Sequence, residues 1–339
     1  MCTANRHKND MKRFSPEQPD GYRETIRKGM QAVRLSCRRR DGDFETQTRR
    51  IRETLGAADA VVIGAGAGLS TSAGYTYAGD RFERWFADFA ARFGITDMYS
   101  GGFYPFPDAE TRWAWWSRHI YVNRLAPIPK PVYDDLLTLV KDKDYFVLTT
   151  NVDHCFQRAG FDKQRLFYTQ GDYGLLQTAD GLDGETYDVT DRIPAMLEAQ
   201  GFQRGTDGVY QPPEDAASLA MRVPSALVPR DSTGREMKMN LRADDTFVED
   251  AGWRRASAAY ADFLRRHEGQ KVVFLELGVG ANTPVIIKYP FWQMTLENEN
   301  ATYVCLSRSS AFCPDAIADR SICLNHDVGA VLEHLTSAE

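Results

Sequence analysis

A glycine-rich turn at residues 64–68 is the first segment of the sequence whose residue types point to a particular chemistry. It consists of small residues alone, namely Gly64, Ala65, Gly66, Ala67 and Gly68. Glycine lets a ligand's phosphate approach the backbone without meeting a Cβ atom. An apolar run at residues 60–63 precedes the turn, and a helix can begin at residue 69. This order is typical of a dinucleotide-binding βαβ unit, although tight turns also use glycine where no ligand binds.

Polar side chains follow a second apolar run, residues 145–148. Asn151 and Asp153 lie in the segment Thr149-Thr-Asn-Val-Asp153, and Gln170 comes later in Tyr168-Thr-Gln-Gly. Asn and Asp after a strand are also a common turn-stabilising pair, and an isolated Gln can simply fill space. Their chemistry therefore depends on the elements that surround them.

Short apolar runs that alternate with helical segments are the elements that must position these residues. Strands are predicted at residues 60–63, 145–148, 272–277, 301–306 and 321–324. Helices are predicted at residues 22–37, 44–55, 132–140, 253–266 and 328–335. Such alternation predicts an α/β fold, a Rossmann-like parallel sheet with helices on both faces.

Two long segments do not fit this alternation. Residues 80–130 are unusually aromatic, and residues 171–250 are largely polar and too long for a loop, so both are predicted to form a smaller inserted lobe. The larger lobe is then built from residues about 50–79, 131–170 and 251–335, within a domain spanning 46–335 that follows an N-terminal extension, 1–45. The cleft between the lobes is the expected ligand site.

Composition excludes several classes of protein. The 339 residues carry a net charge of −6, with 43% hydrophobic and 26% charged residues, as in ordinary globular proteins. The acidic balance argues against nucleic acid as the main partner, and no apolar run approaches the ~20 residues of a membrane-spanning helix. We therefore expect neither nucleic acid nor a membrane as a partner.

Basic residues are concentrated at the N-terminus. Residues 1–40 contain 11 Lys and Arg against 4 Asp and Glu, which indicates either a loosely attached arm or, less consistent with those acidic residues, an organelle presequence. No export signal is evident, and none of the six cysteines forms a C-x-x-C pair. Reduced thiols and a cytoplasmic location are therefore expected, with organelle targeting as the alternative.

Five segments, taken in chain order, resemble the motifs of the sirtuin family. They are Gly66-Ala-Gly-Leu-Ser-Thr-Ser-Ala-Gly74, Thr149-Thr-Asn-Val-Asp153 with Ala159-Gly160, Gln170-Gly171, Gly278-Val-Gly280 with Thr283-Pro284, and Asp327-Val-Gly-Ala-Val-Leu332. Together they span roughly residues 50–335. Five matches in order are far more specific than a single glycine-rich turn.

The resemblance implies NAD as a co-substrate. The residues it assigns to NAD binding are Gly64, Ala65, Gly66, Ala67, Gly68, Ser70, Gly74, Tyr75, Gln170, Gly278, Val279, Gly280, Asn282, Asp327 and Val328. It assigns catalysis to Asn151, Asp153 and Gln170. In this assignment Asp153 accepts a hydrogen bond from the nicotinamide carboxamide, and Asn151 orders a ribose hydroxyl or a water molecule.

Departures from the family pattern indicate a particular branch. After Gly74 the chain reads Tyr75-Thr-Tyr-Ala-Gly-Asp80 instead of G-I-P-D-F-R, and Gln170 stands where sirtuins place a catalytic His. With Asn240-Leu-Arg242 and Phe247-Val-Glu-Asp250, these departures resemble the macrodomain-linked (class M) sirtuins. That branch implies ADP-ribosyl transfer onto a protein acceptor, for which a lipoyl-carrier protein is the candidate, with deacylation lost and a macrodomain protein as a candidate partner.

A carboxamide at residue 170 favours transfer over deacylation. It does not titrate near neutrality and so cannot remove a proton from the ribose hydroxyl, whereas an ionised acceptor needs no such base. The alternatives are an NAD-dependent deacylase, an NAD glycohydrolase and an NAD sensor without turnover.

Zinc is not expected, although many sirtuins hold their small lobe with two Cys pairs. Residues 171–250 contain neither Cys nor His, and Pro229-Arg-Asp-Ser-Thr-Gly234 resembles a zinc knuckle that has lost its cysteines. The lobe would then depend on packing, for which we name Tyr187, Phe202 and Tyr210. Cys305, Cys313 and Cys323 are predicted to be buried thiols.

The aromatic segment from Tyr99 to Tyr121 has two interpretations. It is either plain core of the inserted lobe, which is favoured, or a lining for the cofactor loop or an apolar arm. The residues proposed for such a lining are Phe103, Tyr104, Phe106 and Trp113. No role is assigned to His119 or His154.

Overall fold

The computed structural model describes residues 20–38, 42–214, 218–280 and 283–337. Its strands are β1 Cys37–Arg38, β2 Ala60–Ala65, β3 Tyr145–Thr149, β4 Leu166–Tyr168, β5 Gly171–Gln177, β6 Tyr187–Asp188, β7 Gln203–Arg204, β8 Tyr210–Gln211, β9 Lys238–Leu241, β10 Val272–Leu277, β11 Thr302–Ser307, β12 Cys313–Pro314 and β13 Ser321–Asn325. Its α-helices are α1 Gly21–Ala32, α2 Phe44–Ala57, α3 Ala67–Ser72, α4 Asp80–Phe93, α5 Met98–Gly102, α6 Ala109–Ile120, α7 Val132–Val140, α8 Cys155–Arg158, α9 Ile193–Ala199, α10 Ala251–Arg266, α11 Lys288–Glu297 and α12 Val328–Ser337.

Six parallel strands form the central sheet, in the order β13-β11-β10-β2-β3-β4. The five predicted strands are all confirmed. Every residue of β2, β3 and β10 is buried, because both faces of the sheet are covered, and such strands appear in a sequence as continuous apolar runs. The edge strand β4 was not predicted, since three residues are too few to give a recognisable pattern.

Helices cover both faces of the sheet, which confirms the predicted fold class. On one face α2, α7 and α12 contribute apolar residues such as Leu55, Leu136 and Leu332. On the other face α10 and α11 contribute Tyr260 and Phe291. Among the described residues, no helix is long and apolar enough to cross a membrane.

The first described helix, α1, packs directly on the larger lobe. A Cβ atom added at Gly29 would lie 2.4 Å from the Val285 carbonyl oxygen, so glycine allows this close approach to the segment that precedes α11. β1 then pairs with β12 at the edge of the same lobe. Residues 1–19 of the predicted extension lie outside the described residues, and its boundary at residue 45 stays a prediction.

The smaller lobe contains α4, α5, α6 and α9 with a three-stranded antiparallel sheet in the order β6-β5-β9. Aromatic rings dominate its core: Phe89 contacts Trp115 edge-to-face with ring centroids 5.3 Å apart, and both are fully buried. Most of the aromatic segment is therefore core, as favoured from the sequence. Phe202 and Tyr210 are buried as predicted.

Tyr187 was assigned wrongly to the packing of this lobe. It lies on the short edge strand β6 and is 43% exposed, with its hydroxyl donating to the Asp183 carboxylate. An edge strand of two residues has no neighbour on its outer side, so its side chains are left in contact with solvent.

Candidate active site

The carboxyl ends of the parallel strands carry the segments singled out from the sequence. β2 pairs with β3 on one side and with β10 on the other, so the strand order switches direction between β2 and β10. In open parallel sheets such a switch in strand order creates a crevice, which is where nucleotides bind. The glycine turn therefore lies at the position that a dinucleotide site requires.

Glycines allow the loops after β2 and β10 to pack against one another. The Gly68 amide donates to the Gly278 carbonyl oxygen at 2.9 Å, and a Cβ atom on Gly68 would lie only 2.7 Å from the Cα atom of Gly278. Gly278 has φ of 62°, which L side chains rarely adopt. These glycines are thus required for the packing of the two loops as well as for any approach of a phosphate.

A cavity of about 1720 Å³ opens from this crevice toward the smaller lobe. The sequence-predicted residues that line it are Ala67, Ser70, Tyr75, Asn151, Asp153, Gln170 and Gly280. Pockets for single small ligands are commonly 300–1,000 Å³, so this cavity can hold NAD together with part of a second substrate.

Other predicted NAD-binding residues do not line the cavity. They are Gly64, Ala65, Gly66, Gly68, Gly74, Gly278, Val279, Asp327 and Val328. Asp327, for example, accepts a hydrogen bond from the Ser72 hydroxyl at 2.6 Å and so connects α3 to α12. Asn282 lies outside the described residues, and the assignment of this whole set to NAD stays a prediction.

Asp153 is buried beside the glycine turn. Its carboxylate accepts hydrogen bonds from the Ser70 hydroxyl at 2.5 Å and from the Cys155 amide at 3.0 Å. Burial raises the pKa of this carboxyl above its ordinary value, even though both donors favour the ionised form. Ser70 in turn contacts the Tyr133 hydroxyl at 2.9 Å, so Ser70 orients the carboxylate.

Asn151 is held by the loop that follows β2. Its side-chain Nδ2 donates to the Gly66 carbonyl oxygen at 3.0 Å, and its backbone amide donates to the Thr149 hydroxyl. Within the part of the chain that is described, no hydrogen bond engages Asn151 Oδ1. The side chain lines the cavity, so this oxygen can accept a hydrogen bond from a ribose hydroxyl or a water molecule.

Gln170 lines the cavity next to Arg242. Gln170 Nε2 donates to the Thr169 hydroxyl at 3.2 Å, and the Arg242 amide donates to the Gln170 carbonyl oxygen at 3.0 Å. The Arg242 guanidinium lies over the rings of Phe247 and Trp253, with its Cζ atom 4.2 and 5.2 Å from their centroids. Arg242 belongs to a segment that indicated the branch, and the structure shows that it also places a positive charge in the lining.

Several residues of the lining were not predicted from the sequence. The Tyr77 and Tyr173 hydroxyls are 2.9 Å apart, and the His119 ring lies edge-to-face against Tyr173 with centroids 4.7 Å apart. Burial, assisted by the charge of Arg81, lowers the pKa of His119 to about 3, so this imidazole is neutral. The motif segments gave no signal for His119, because it lies on α6, outside every segment that resembles a family motif.

The lining also tests the second interpretation of the aromatic segment. Phe103 and Trp113 line the cavity, whereas Tyr104 and Phe106 do not and pack in the core of the lobe. Phe103 is 61% exposed and stacks edge-to-face on Tyr99 at the cavity mouth, with centroids 5.2 Å apart. The segment therefore serves as core along most of its length and as lining at a few positions.

A hydrogen-bonded turn occupies the segment that resembles a zinc knuckle. Asp231 accepts hydrogen bonds from the Thr233 hydroxyl and from the Thr233 and Arg235 amides, which lower its pKa to about 2. Asp231 and Arg235 also pair through their backbones, with the Asp231 amide donating to the Arg235 carbonyl oxygen at 2.8 Å. In the described ranges, no group of three or more His, Cys, Asp or Glu is placed to hold a metal ion.

We expect the purified protein to contain no stoichiometric zinc, because the turn is closed by hydrogen bonds of Asp231 and residues 171–250 supply no soft ligand. Elemental analysis should find far less than one zinc ion per chain, and a chelator should leave the melting temperature unchanged. Stoichiometric zinc together with a melting temperature that falls in chelator would contradict this view of the lobe.

Comparisons with known proteins extend these observations. No family model matches this chain. The chain is 34% identical over 288 residues to a "Protein ADP-ribosyltransferase" of Staphylococcus aureus (strain Mu50 / ATCC 700699), a match that covers 84% of this chain and 86% of that protein. It is 31% identical over 255 residues to a "Probable bifunctional ADP-ribose hydrolase/ADP-ribosyltransferase" of Fusarium oxysporum f. sp. cubense, covering 73% of this chain and 40% of that protein.

A solved structure described as a "Sir2 homolog-NAD complex" is 13% identical, with a TM-score of 0.49, and the match covers 89% of this chain and 96% of that one. At this TM-score the likeness supports no further conclusion. The relation to the Staphylococcus aureus protein, in contrast, spans most of both chains. The chain therefore belongs to the family of protein ADP-ribosyltransferases, which use NAD as co-substrate.

Proposed function

We propose that this chain transfers the ADP-ribosyl group of NAD to a carboxylate of an acceptor protein and releases nicotinamide. The observation that carries the proposal is the cavity at the switch point of the sheet. Asn151, Asp153 and Gln170 line it together with Ala67 of the glycine turn. In the sequence resemblance, the amide of Gln170 stands where sirtuins place the base. The cavity also extends past these residues toward the smaller lobe, which leaves room for an acceptor.

The reaction breaks one bond and forms one bond at the same ribose carbon. The bond between nicotinamide and ribose breaks, its electron pair leaves with nicotinamide, and positive charge develops on the ribose carbon. An acceptor carboxylate oxygen then supplies the electron pair of the new bond. Asp153 would accept a hydrogen bond from the nicotinamide carboxamide, and Asn151 Oδ1 would order a ribose hydroxyl near the reacting carbon.

Gln170 decides which acceptors can react. Its amide can donate and accept hydrogen bonds but cannot take a proton near neutral pH. Deacylation requires a base to activate a ribose hydroxyl, whereas an ionised carboxylate is already nucleophilic. An amide beside the cavity therefore supports transfer to an anion in preference to deacylation.

For the acceptor we propose a lipoyl-carrier protein, on the strength of the branch resemblance in residues 74–80 and 240–250. We also propose a macrodomain protein as the partner that reverses the modification. The relative from Fusarium oxysporum supports this second point, since its name joins ADP-ribose hydrolase to ADP-ribosyltransferase and this chain spans 40% of its length. A cytoplasmic location completes the proposal, since no disulfide bond joins the cysteines in the described ranges.

Labelled NAD tests the proposed function. Purified protein is incubated with NAD that carries the label on its adenine, with a carrier protein prepared with and without lipoylation. We expect nicotinamide release and label on the carrier. Label in free ADP-ribose alone would indicate a glycohydrolase, label in acyl-ADP-ribose with an acylated substrate would indicate a deacylase, and no nicotinamide release would indicate a sensor.

A further inference from the structure

A buried carboxylate that lies outside the cavity lining joins three parts of the chain. Asp172 Oδ1 accepts hydrogen bonds from Arg124 Nε at 2.5 Å and from the Gly174 amide at 2.7 Å. Asp172 Oδ2 accepts one from His154 Nδ1 at 2.5 Å. We refer to the side chains of Arg124, His154 and Asp172 as the Asp172 cluster.

The cluster is adjacent in sequence to two of the proposed catalytic residues. His154 directly follows Asp153, and Asp172 is two positions after Gln170. Between these two segments the Tyr173 amide donates to the Val152 carbonyl oxygen at 2.9 Å. The bond between His154 and Asp172 is thus a side-chain connection between the loop after β3 and the start of β5, which directly follows Gln170.

The backbone conformation of His154 needs support from a side-chain contact such as its hydrogen bond with Asp172. His154 has φ of 64°, and it is the one non-glycine residue in the described ranges with a positive φ. Such a conformation is uncommon outside glycine and persists when surrounding contacts favour it. Because the chain turns sharply here into α8, the conformation of His154 determines where the preceding Asp153 lies.

Arg124 connects the cluster to the smaller lobe. It belongs to a single turn of π-helix, Tyr121–Leu125, that continues α6, and π turns are common near functional sites. Gly174 makes room for it, since a Cβ atom there would lie 2.4 Å from Arg124 Cζ. Burial alone would raise the pKa of the Asp172 carboxyl, but the hydrogen bond from His154 and the charge of Arg124 hold it below its ordinary value, so Asp172 is ionised.

None of the three side chains lines the cavity, so they do not contact a substrate there. We propose that the Asp172 cluster is a positioning device that holds the Asp153 loop and the Gln170 loop in register for ADP-ribosyl transfer. The proposal rests on the function proposed above. It makes His154 and Asp172 positioning residues, with the hydrogen bond from His154 Nδ1 as the essential interaction.

Two substitutions of His154 isolate that hydrogen bond. Asparagine tolerates the positive φ and places its Nδ2 one bond from Cγ, as histidine places Nδ1, so His154→Asn retains the donor. His154→Gly tolerates the same backbone and removes the donor.

We expect His154→Gly to lower kcat for nicotinamide release from NAD by ~10- to 100-fold, with KM for NAD changed less than ~3-fold, because misplaced catalytic groups cost rate more than affinity. His154→Asn should stay within ~3-fold of wild type in kcat.

Hydrogen exchange supplies a readout that does not require turnover. We expect the Tyr173 and Gly174 amides to exchange faster in His154→Gly and at the wild-type rate in His154→Asn. Arg222→Ala, which breaks an exposed ion pair with Asp108, is the control and should change neither readout. Equal kcat and equal exchange in the two His154 variants, whether high or low, would overturn the role of the hydrogen bond.

A wild-type protein that releases no nicotinamide would refute the proposed function separately. The exchange result would still decide whether the Asp172 cluster holds the loops together.

Discussion

Replacing Asn151 with alanine is expected to lower the rate of nicotinamide release at least ~10²-fold, the loss typical of a positioned catalytic group. The side chain lines the cavity, and its Nδ2 donates to the Gly66 carbonyl oxygen, so Oδ1 would need no further ordering to accept a hydrogen bond from the ribose in the proposed reaction. The substitution removes both Oδ1, which accepts the hydrogen bond, and Nδ2, which fixes the side chain. The measurement is steady-state nicotinamide release, with NAD affinity measured separately by calorimetry.

A matched control separates catalysis from folding. Asn300→Ala makes the same chemical change at an exposed residue just before β11, at the amino ends of the strands and therefore opposite the cavity. It should retain wild-type activity. Both variants should melt near the wild-type temperature, because Asn151 contributes few buried contacts. An Asn151→Ala protein that folds and turns over NAD at the wild-type rate would leave Asn151 with a turn-stabilising role alone.

The wild-type protein is expected to show no deacylation of acyl-lysine peptides above background. Gln170 lines the cavity and, in the sequence resemblance, stands where sirtuins place the base that deacylation needs. The absence of proton transfer at that step would cost ~10²–10⁴-fold. ADP-ribosyl transfer should persist in the same preparation, because an ionised acceptor needs no base. Release of acyl-ADP-ribose and label on the acceptor protein are the two quantities to be measured side by side.

Variants of Gln170 test whether the amide itself matters. Gln170→Ala should weaken transfer by roughly fivefold, since it removes hydrogen bonds to ribose worth ~1 kcal/mol. Gln170→His restores a titratable group with a different shape and different hydrogen-bond geometry, so any recovery of deacylation should be partial. Robust deacylation by the wild-type protein that disappears in Gln170→Ala would contradict this prediction. A route for proton transfer would then have to pass through Gln170.

The larger lobe could be predicted from the sequence because its signals are local. β2, β3 and β10 are buried on both faces, so each appears as a continuous apolar run, and α7 was predicted with the bounds Val132–Val140 that the structure shows. The smaller lobe gave weaker signals. Its strands β6, β7 and β8 have two residues each, too few to show the alternation of a half-buried strand, and Tyr187 was consequently misplaced.

The catalytic candidates could also be found from the sequence, because Asn151 and Asp153 lie within one short motif. The residues that contact them or lie around them could not be found from the sequence. Arg124 and Asp172 are 48 positions apart, and the Tyr77 and Tyr173 hydroxyls are 96 apart, yet both pairs are in contact. No pattern of residue types along the chain predicts such pairs. They come into contact only because the smaller lobe packs against the sheet.

The sequence by itself determined the type of fold and the use of NAD, and it supplied the candidate reacting residues, because strand burial and loop motifs are encoded by neighbouring residues. Only the tertiary structure decided which residues line the cavity, that Ser70 orients Asp153, and that His154 is tied to a buried carboxylate. Burial and long-range hydrogen bonds depend on where residues lie in three dimensions, and not on which residues are neighbours in the sequence. They are set by how two lobes, distant along the chain, pack around the ends of the same strands.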